Sequence, residues 1–204
     1  MSTLIVDDVR LDIPEWVTDL ASFRRWTNTP EFPEQGSTWW LNGKVWVDMS
    51  KEQIYTHNRV RTRITSVLDL LVVGDSGLVL SDGALLTNEQ AGISGNPDLI
   101  YVSQGAIDSG RVELVEGKSD GFTEVVGSPE MVLEVVSDSS VEKDTETLRD
   151  AYFAAGIDEY WLVDARSEPL GFDLLKRGAT GFVATRKSGG WLKSAVFGKS
   201  FRLT

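Results

Sequence analysis

The 204-residue chain contains no cysteine and a single histidine, His57. Without thiols it can form neither disulfides nor thiolate zinc sites, and it has no cysteine nucleophile. Any site that requires two imidazoles is excluded as well. No apolar run approaches the ~20 residues of a membrane span, and the N-terminus lacks the basic flank and apolar stretch of a signal peptide. We therefore expect a soluble, cytoplasmic protein without a membrane segment.

Positive charge is also scarce, and what there is lies unevenly along the chain. The net charge of −11 argues against a protein that coats nucleic acid nonspecifically. Residues 171–204, however, carry seven Lys or Arg against Asp173 alone, and a second basic cluster follows His57 at Arg59, Arg61 and Arg63. These residues are either ordinary solvated charges or contacts to a nucleic-acid backbone.

The distribution of apolar residues predicts one mixed α/β domain over residues 37–204, preceded by an extension, 1–36, that packs on it. Residues 15–26 of the extension could form a short helix. In the domain, the sequence predicts a hairpin that turns at Asn42-Gly43 and a helix that ends at Gly74. It also predicts strands at 77–81, 98–102, 131–136 and 160–164, a helix ending at Gly156, and short antiparallel strands at the C-terminal end.

Two polar, glycine-containing segments are predicted to lie outside the regular elements. Residues 87–96, which are rich in Asn, Gly and Ser, read as a loop. Residues 103–128 contain five glycines and alternating charges, so they are predicted to be a mobile connection or an exposed hairpin.

Two acidic residues stand in apolar, β-branched runs that predict buried strands. Asp98 precedes Leu99–Val102, and Glu134 lies inside Met131–Val136. Desolvating an unpaired carboxylate costs several kcal/mol, so such acids need a partner. If the strands pair, both carboxylates can bind one Mg²⁺ or Mn²⁺, which leaves positions for water and a phosphate oxygen. The alternatives are a turn acid at Asp98, after Pro97, and a buried ion pair at Glu134.

The spacing of these and later residues resembles that of the Uma-two family, in the PD-(D/E)XK or restriction-endonuclease-like superfamily. The resemblance runs from about Trp39 to Asp164 and is most specific over residues 133–164. The matching residues are Pro97-Asp98, Leu133-Glu134-Val135-Val136-Ser137, Asp144, Tyr152, Ala155-Gly156-Ile157 and Glu159-Tyr160-Trp161-Leu162-Val163-Asp164. The resemblance implies a central mixed sheet flanked by helices. It also implies Asp98, Glu134 and the backbone carbonyl of Val135 as metal ligands.

The catalytic lysine is where the chain departs from the family pattern. The superfamily's usual position is Val136 here, and the position that the Uma-two family often uses in the following helix is Leu148. Lys143 is the best substitute, because it lies in the first turn of that helix and its long side chain could swing inward. Arg149 is the second choice, although helix geometry turns it about 100° away from position 148. A third alternative is that catalysis has been lost.

The resulting expectation is a Mg²⁺- or Mn²⁺-dependent endonuclease that hydrolyses DNA. Asp98, Glu134 and Lys143 are the predicted catalytic residues, with Lys143 holding water or stabilising the transition state. A noncatalytic binding or assembly module with the same fold is the main alternative, and a structural protein with its acids in ion pairs is another. A homodimer would suit cleavage of both strands.

Overall fold

The computed structural model describes residues 2–6, 9–33, 36–50, 52–117, 121–166 and 168–203. Within these ranges the strands are β1 (Ser2–Val6), β2 (Val9–Ile13), β3 (Ser37–Leu41), β4 (Lys44–Asp48), β5 (Leu78–Ser81), β6 (Leu85–Asn88), β7 (Ile93–Gly95), β8 (Leu99–Val102), β9 (Val112–Glu116), β10 (Phe122–Gly127), β11 (Met131–Val136), β12 (Glu159–Asp164), β13 (Gly171–Arg177), β14 (Phe182–Ala184), β15 (Leu192–Lys193) and β16 (Ser200–Phe201). The helices are α1 (Leu20–Thr27), α2 (Arg59–Val72), α3 (Gln104–Asp108) and α4 (Leu148–Ala154). Wide π-helical turns, Ile54–Asn58 and Lys143–Thr147, lead directly into α2 and α4, and a 3₁₀ turn, Val73–Asp75, follows α2.

The central sheet has the strand order β14-β13-β12-β11-β8-β5. Strand β11 lies inside it with all six residues buried, as its apolar run predicts. It pairs in parallel with β12, whereas the other neighbours in this sheet are antiparallel. A parallel pair needs a crossover, and the turn Lys143–Thr147 with α4 supplies it. The mixed sheet flanked by helices confirms the predicted fold class.

The pairing of β8 with β11 brings the two predicted acidic residues together. Met131 is opposite Tyr101 and Leu133 is opposite Leu99. One step further along the same register, Glu134 is opposite Asp98, the residue just before β8. The Asp98 side chain also links the two strands, because its Oδ2 accepts a 2.7 Å hydrogen bond from the Val135 N–H of β11.

A second six-stranded sheet, β4-β3-β7-β6-β10-β9, corrects two sequence-based predictions. The segment 87–96 contains strand residues of β6 and β7 rather than one loop. Two of its polar side chains satisfy each other there, since the Thr87 and Ser94 hydroxyls lie 2.7 Å apart in the core. The segment 103–128 forms α3 and the β9–β10 hairpin, whose tip, 118–120, lies outside the described residues. The predicted hairpin is therefore present, but Val112 and Val125 are buried, so the hairpin belongs to the core and is not an exposed one.

The helices complete a layered arrangement around the two sheets. Residues of α4 pack with both sheets in one cluster that includes Trp39, Val132 and Tyr152. Helix α2 packs on the other face of the central sheet, together with the C-terminal segment that contains β15 and β16. The hairpin β3–β4 turns at Asn42 and Gly43, both at positive φ, as predicted.

Helix α1 begins at Leu20 because Asp19 caps it, and it packs through Phe23 and Trp26 on Trp40 of β3. The division of the chain at residue 36 stays a prediction. Among the described helices, none combines the length and apolar character needed to cross a bilayer.

Candidate active site

A cavity of about 570 Å³ lies beside the start of β8 and the end of β11. The turns that precede α2 and α4 and the segment that follows β4 also line it. Carboxylates dominate the lining and give the cavity an excess of negative charge. The acidic lining residues are Asp48, Glu52, Asp82, Asp98, Glu134, Asp138 and Asp144, and the basic ones are His57, Lys143 and Arg166.

Asp98 is oriented by three donors. Its Oδ2 accepts the Val135 N–H and lies 3.3 Å from His57 Nε2, while its Oδ1 accepts a 3.1 Å hydrogen bond from Arg61 Nη1. Burial on its own would raise the pKa of Asp98, but these partners outweigh burial and lower it. Burial would likewise lower the pKa of His57, but the hydrogen bond and charge of Asp98 raise it. Asp98 is therefore a carboxylate at neutral pH.

Glu134 has the opposite electrostatic character. Tyr152 Oη donates a 2.6 Å hydrogen bond to its Oε1, whereas its Oε2 lies 3.9 Å from Lys143 Nζ. Burial raises the pKa of Glu134 well above its usual value, and the nearby Asp98 and Asp144 raise it further against the opposing charge of Lys143. A further cation near Oε2 would favour the charged form of Glu134.

Lys143 enters the cavity from the turn before α4 and is 9% exposed. Its Nζ lies 2.8 Å from Asp144 Oδ1, 5.1 Å from the ring centroid of Trp39 and 5.0 Å from that of Trp46. Burial would lower the pKa of Lys143, but the charges of Glu134 and Asp144 outweigh burial and raise it. Lys143 is therefore an ammonium ion between two aromatic rings, and such contacts stabilise a cation by about 0.5–2 kcal/mol.

Asp144 anchors the turn that carries Lys143. It is 1% exposed, accepts a very short hydrogen bond from the Ser140 hydroxyl, and its backbone carbonyl accepts a 2.7 Å bond from Tyr160 Oη. Burial raises the pKa of Asp144, against the opposing effects of Lys143 and Ser140. Its contacts therefore exceed those of a solvated acid at a helix start.

The alternative positions for the lysine lie elsewhere. Leu148 is fully buried in the core, and Val136 is 2% exposed. Arg149 is on the outer side of α4, where its Nη2 donates a 2.9 Å hydrogen bond to the Phe182 carbonyl. The structure thus brings Asp98, Glu134 and Lys143 together and leaves Arg149 outside the cavity. Their catalytic roles, and that of the Val135 carbonyl, stay predictions.

Arg61 has a role at the site that neither of the two sequence-based alternatives, a solvated charge or a contact to a nucleic-acid backbone, predicted. It is 8% exposed and donates two 2.9 Å hydrogen bonds to Glu52 in addition to the one to Asp98. A signal was present, because Arg61 precedes Ile64 and Leu68 at helical spacing and so belongs to the buried face of α2. Arg59 and Arg63, by contrast, are exposed.

A second group of ligand atoms lies next to Asp98. One atom each from Glu52, His57 and Asp98 lie within 4.8 Å of one another, which is close enough to hold a metal ion. The guanidinium of Arg61 already binds Glu52 and Asp98, so this group has a cation of its own. The corresponding cation at Glu134 is Lys143, whose Nζ lies farther from Oε2, at 3.9 Å.

Comparisons with known proteins identify the family and the fold of the chain. A family model named Uma2, with the description "Putative restriction endonuclease", matches residues 20–197. The solved structure of "a putative nuclease belonging to DUF820" from Anabaena variabilis is similar, with a TM-score of 0.63 and 14% sequence identity. The similarity covers 88% of this chain and 90% of that one, and at this identity it shows a shared fold. None of the curated proteins matches.

Proposed function

Because this chain belongs to the Uma2 family of restriction-endonuclease-like proteins, we propose that it is a metal-dependent endonuclease that hydrolyses phosphodiester bonds in DNA. The family and the fold indicate a nuclease, and the site suggests how it works. The observation that carries the proposal is that the buried carboxylate of Glu134, the carboxylate of Asp98, whose side chain is 12% exposed, and the ammonium group of Lys143 line one cavity.

The donor set suits Mg²⁺ or Mn²⁺. Asp98, Glu134 and the carbonyl of Val135 would hold the ion, because such cations prefer carboxylate and carbonyl oxygens. The fit rests on Glu134, whose charged form is disfavoured by burial and by two neighbouring acids. Asp98 keeps lone pairs for a ligand, since a carboxylate accepts about four hydrogen bonds. When bound, the ion would polarise a phosphoryl oxygen and acidify a water molecule.

The protein's own groups position the reactants. Arg61 and the Val135 N–H orient Asp98, and Tyr152 orients Glu134. The raised pKa of Lys143 keeps it protonated, so it acts as a donor that holds the attacking water or stabilises negative charge developing on the phosphate. The exposed basic residues around Arg59 and Arg63, and those in 171–204, are candidates for contacts to the DNA backbone.

Nicking of supercoiled plasmid with Mg²⁺ or Mn²⁺ tests the proposal. We expect the wild type to nick DNA only with the metal, and both Glu134→Gln and Lys143→Ala to lose about 100-fold or more of the rate, by analogy with removal of one transition-state donor. Arg149→Ala is the matched control, because it removes a cation from the same helix outside the cavity. Loss of nicking in Arg149→Ala with retention in Lys143→Ala would contradict the assigned role of Lys143.

A noncatalytic binding or assembly module is the second candidate. The observation that favours it is the pairing of Lys143, which lies closer to Asp144 than to Glu134, while the family's usual lysine positions hold Val136 and Leu148. This candidate predicts that Mn²⁺ raises the melting temperature through Glu134, while no folded variant nicks any form of DNA. The homodimer and the cytoplasmic location stay predictions.

A further inference from the structure

The turn that leads into α2 displays two large apolar side chains next to the cavity. Ile54 and Tyr55 are 75% and 78% exposed. The following residues, Thr56 and His57, face the opposite way and line the cavity. One short turn therefore has its inner face in the proposed active site and its outer face in solvent.

Hydrogen bonds hold the backbone of this turn in place. The carbonyl of Gln53 accepts 3.1 Å bonds from both His57 N–H and Asn58 N–H, and the Arg59 N–H donates to the Ile54 carbonyl. The contact of His57 with Asp98 adds a side-chain anchor. Single exposed apolar residues are ordinary on protein surfaces. Here two adjacent ones stand on an anchored turn at the edge of the cavity.

The charge around the two side chains indicates the kind of partner. No acidic residue occurs between Gln53 and Leu68, although the chain as a whole is strongly acidic. Tyr55, Arg59 and Arg63 are all exposed and follow one another at four-residue spacing, so they lie along one ridge. A ridge with an aromatic ring and two guanidinium groups matches a partner that offers flat apolar rings and phosphates together.

We infer that Ile54 and Tyr55 form a wedge that contacts unstacked bases of DNA, while Arg59 and Arg63 bind the adjoining backbone. The inference rests on the proposed function and names its substrate class, DNA with an unpaired or weakly stacked base beside the scissile phosphate. Apolar side chains that enter a base step must unstack it, and an unpaired base costs least to open. A flat ring such as that of Tyr55 then stacks on the exposed base.

Binding to two labelled duplexes that differ only by one unpaired base tests the inference. Anisotropy is measured in Ca²⁺, a hard cation of the same charge as Mg²⁺, with a gel to exclude cleavage, and 2-aminopurine beside the unpaired base reports unstacking. We expect Tyr55→Ala to weaken binding to the duplex with the unpaired base about tenfold, and binding to the paired duplex less. Tyr55→Phe should restore affinity, because it keeps the ring.

Two controls separate stacking from general effects. Leu70→Ala removes an apolar side chain of α2 that is 77% exposed but is not a lining residue of the cavity, and we expect wild-type affinity for both duplexes. Arg59→Ala should weaken binding to both duplexes equally and reduce the salt dependence by about one counterion.

Several outcomes would overturn the wedge. Tyr55→Ala could match Leu70→Ala, or it could lower affinity for both duplexes alike. Sedimentation could show a wild-type dimer that Tyr55→Ala dissociates, in which case the turn is a contact between two copies of the chain. If the wild type nicks DNA in any of these cases, only the wedge fails. If the wild type neither binds nor nicks DNA, the proposed function fails with it.

Discussion

Replacing Glu134 by glutamine separates a metal-binding carboxylate from a structural one. Glutamine keeps the size of the side chain and still accepts the hydrogen bond from Tyr152, but it carries no charge. In the wild type, burial holds the pKa of Glu134 well above the value of about 4.3 that it has in an unfolded chain. The substitution removes this penalty.

The sign of the effect follows from proton linkage. Between the unfolded and the folded pKa, the folded protein binds more protons than the unfolded chain, so the free energy of unfolding falls as the pH rises through this window. Each pKa unit of difference is worth about 1.4 kcal/mol. Without metal at neutral pH, we therefore expect Glu134→Gln to be more stable than the wild type, and each kcal/mol gained would raise the melting temperature by about 2–4 °C. Below about pH 4 the difference should vanish.

Metal ions should reduce or reverse the difference in stability between Glu134→Gln and the wild type. At a free Mn²⁺ concentration ten times the dissociation constant, the wild type gains about 1.4 kcal/mol, and the variant gains less because it has lost a ligand. The assay is thermal unfolding followed by circular dichroism, as a pH series in chelator and as a Mn²⁺ titration.

Glu159→Gln is the matched control for this experiment. Glu159 is 1% exposed, but it accepts hydrogen bonds from the Trp161 indole, the Ser194 hydroxyl and the Ala195 N–H. Glu159→Gln weakens these hydrogen bonds, so it should lower the free energy of unfolding by about 1.5–3 kcal/mol. This loss should not depend on Mn²⁺. If Glu134→Gln behaves like Glu159→Gln, destabilised and insensitive to metal, Glu134 is a structural ion-pair residue and the metal site is refuted.

Three further substitutions probe the surroundings of the site. Trp46→Ala removes one of the two rings beside Lys143 and should lower kcat for nicking about 3–30-fold with little change in KM. Trp46→Phe keeps an aromatic ring, so an equal loss of kcat in a folded Trp46→Phe would count against the cation–π role. Gly95→Ala places a Cβ 2.0 Å from the Trp39 ring and should lower the free energy of unfolding by about 1–3 kcal/mol, which urea unfolding measures. Asn88→Ala leaves the carbonyls of Gly127 and Ala155 without the donor that joins them and should cost about 1–3 kcal/mol, so an unchanged urea midpoint would contradict that bridging role.

The parts of the fold that the sequence predicted are those with a local signal. The apolar run at Met131–Val136 became β11 with the same bounds, and Asn42-Gly43 became the predicted hairpin turn. The segment 103–128 forms one of the two predicted alternatives, a hairpin, but its alternating charges wrongly indicated that the hairpin is exposed. Glu124 of this segment is in fact buried and bound by Arg24, a residue 100 positions earlier in the chain. No local pattern reveals a partner at that distance.

The residues of the candidate site likewise fall into two groups, those with a local sequence signal and those positioned by contacts with distant parts of the chain. Asp98 and Glu134 were identifiable from sequence, because an acid in an apolar strand is unusual wherever its partner lies. The inward position of Lys143 depends on Trp39 and Trp46, which reach it from a hairpin about 100 residues earlier. Arg61 contributes through a contact with a residue 37 positions away.

By itself the sequence determined that the apolar strand at Met131–Val136 is buried and which two carboxylates must find compensation, since the apolar run and the charge are properties of short segments. Only the tertiary structure decided which cations lie beside them, Arg61 and His57 at Asp98 and Lys143 at Glu134. The register of β8 on β11 sets Asp98 opposite Glu134, and the hairpin β3–β4 holds the ammonium group of Lys143 beside them. Electrostatic interactions act through space, so they depend on distances that the order of residues along the chain does not contain.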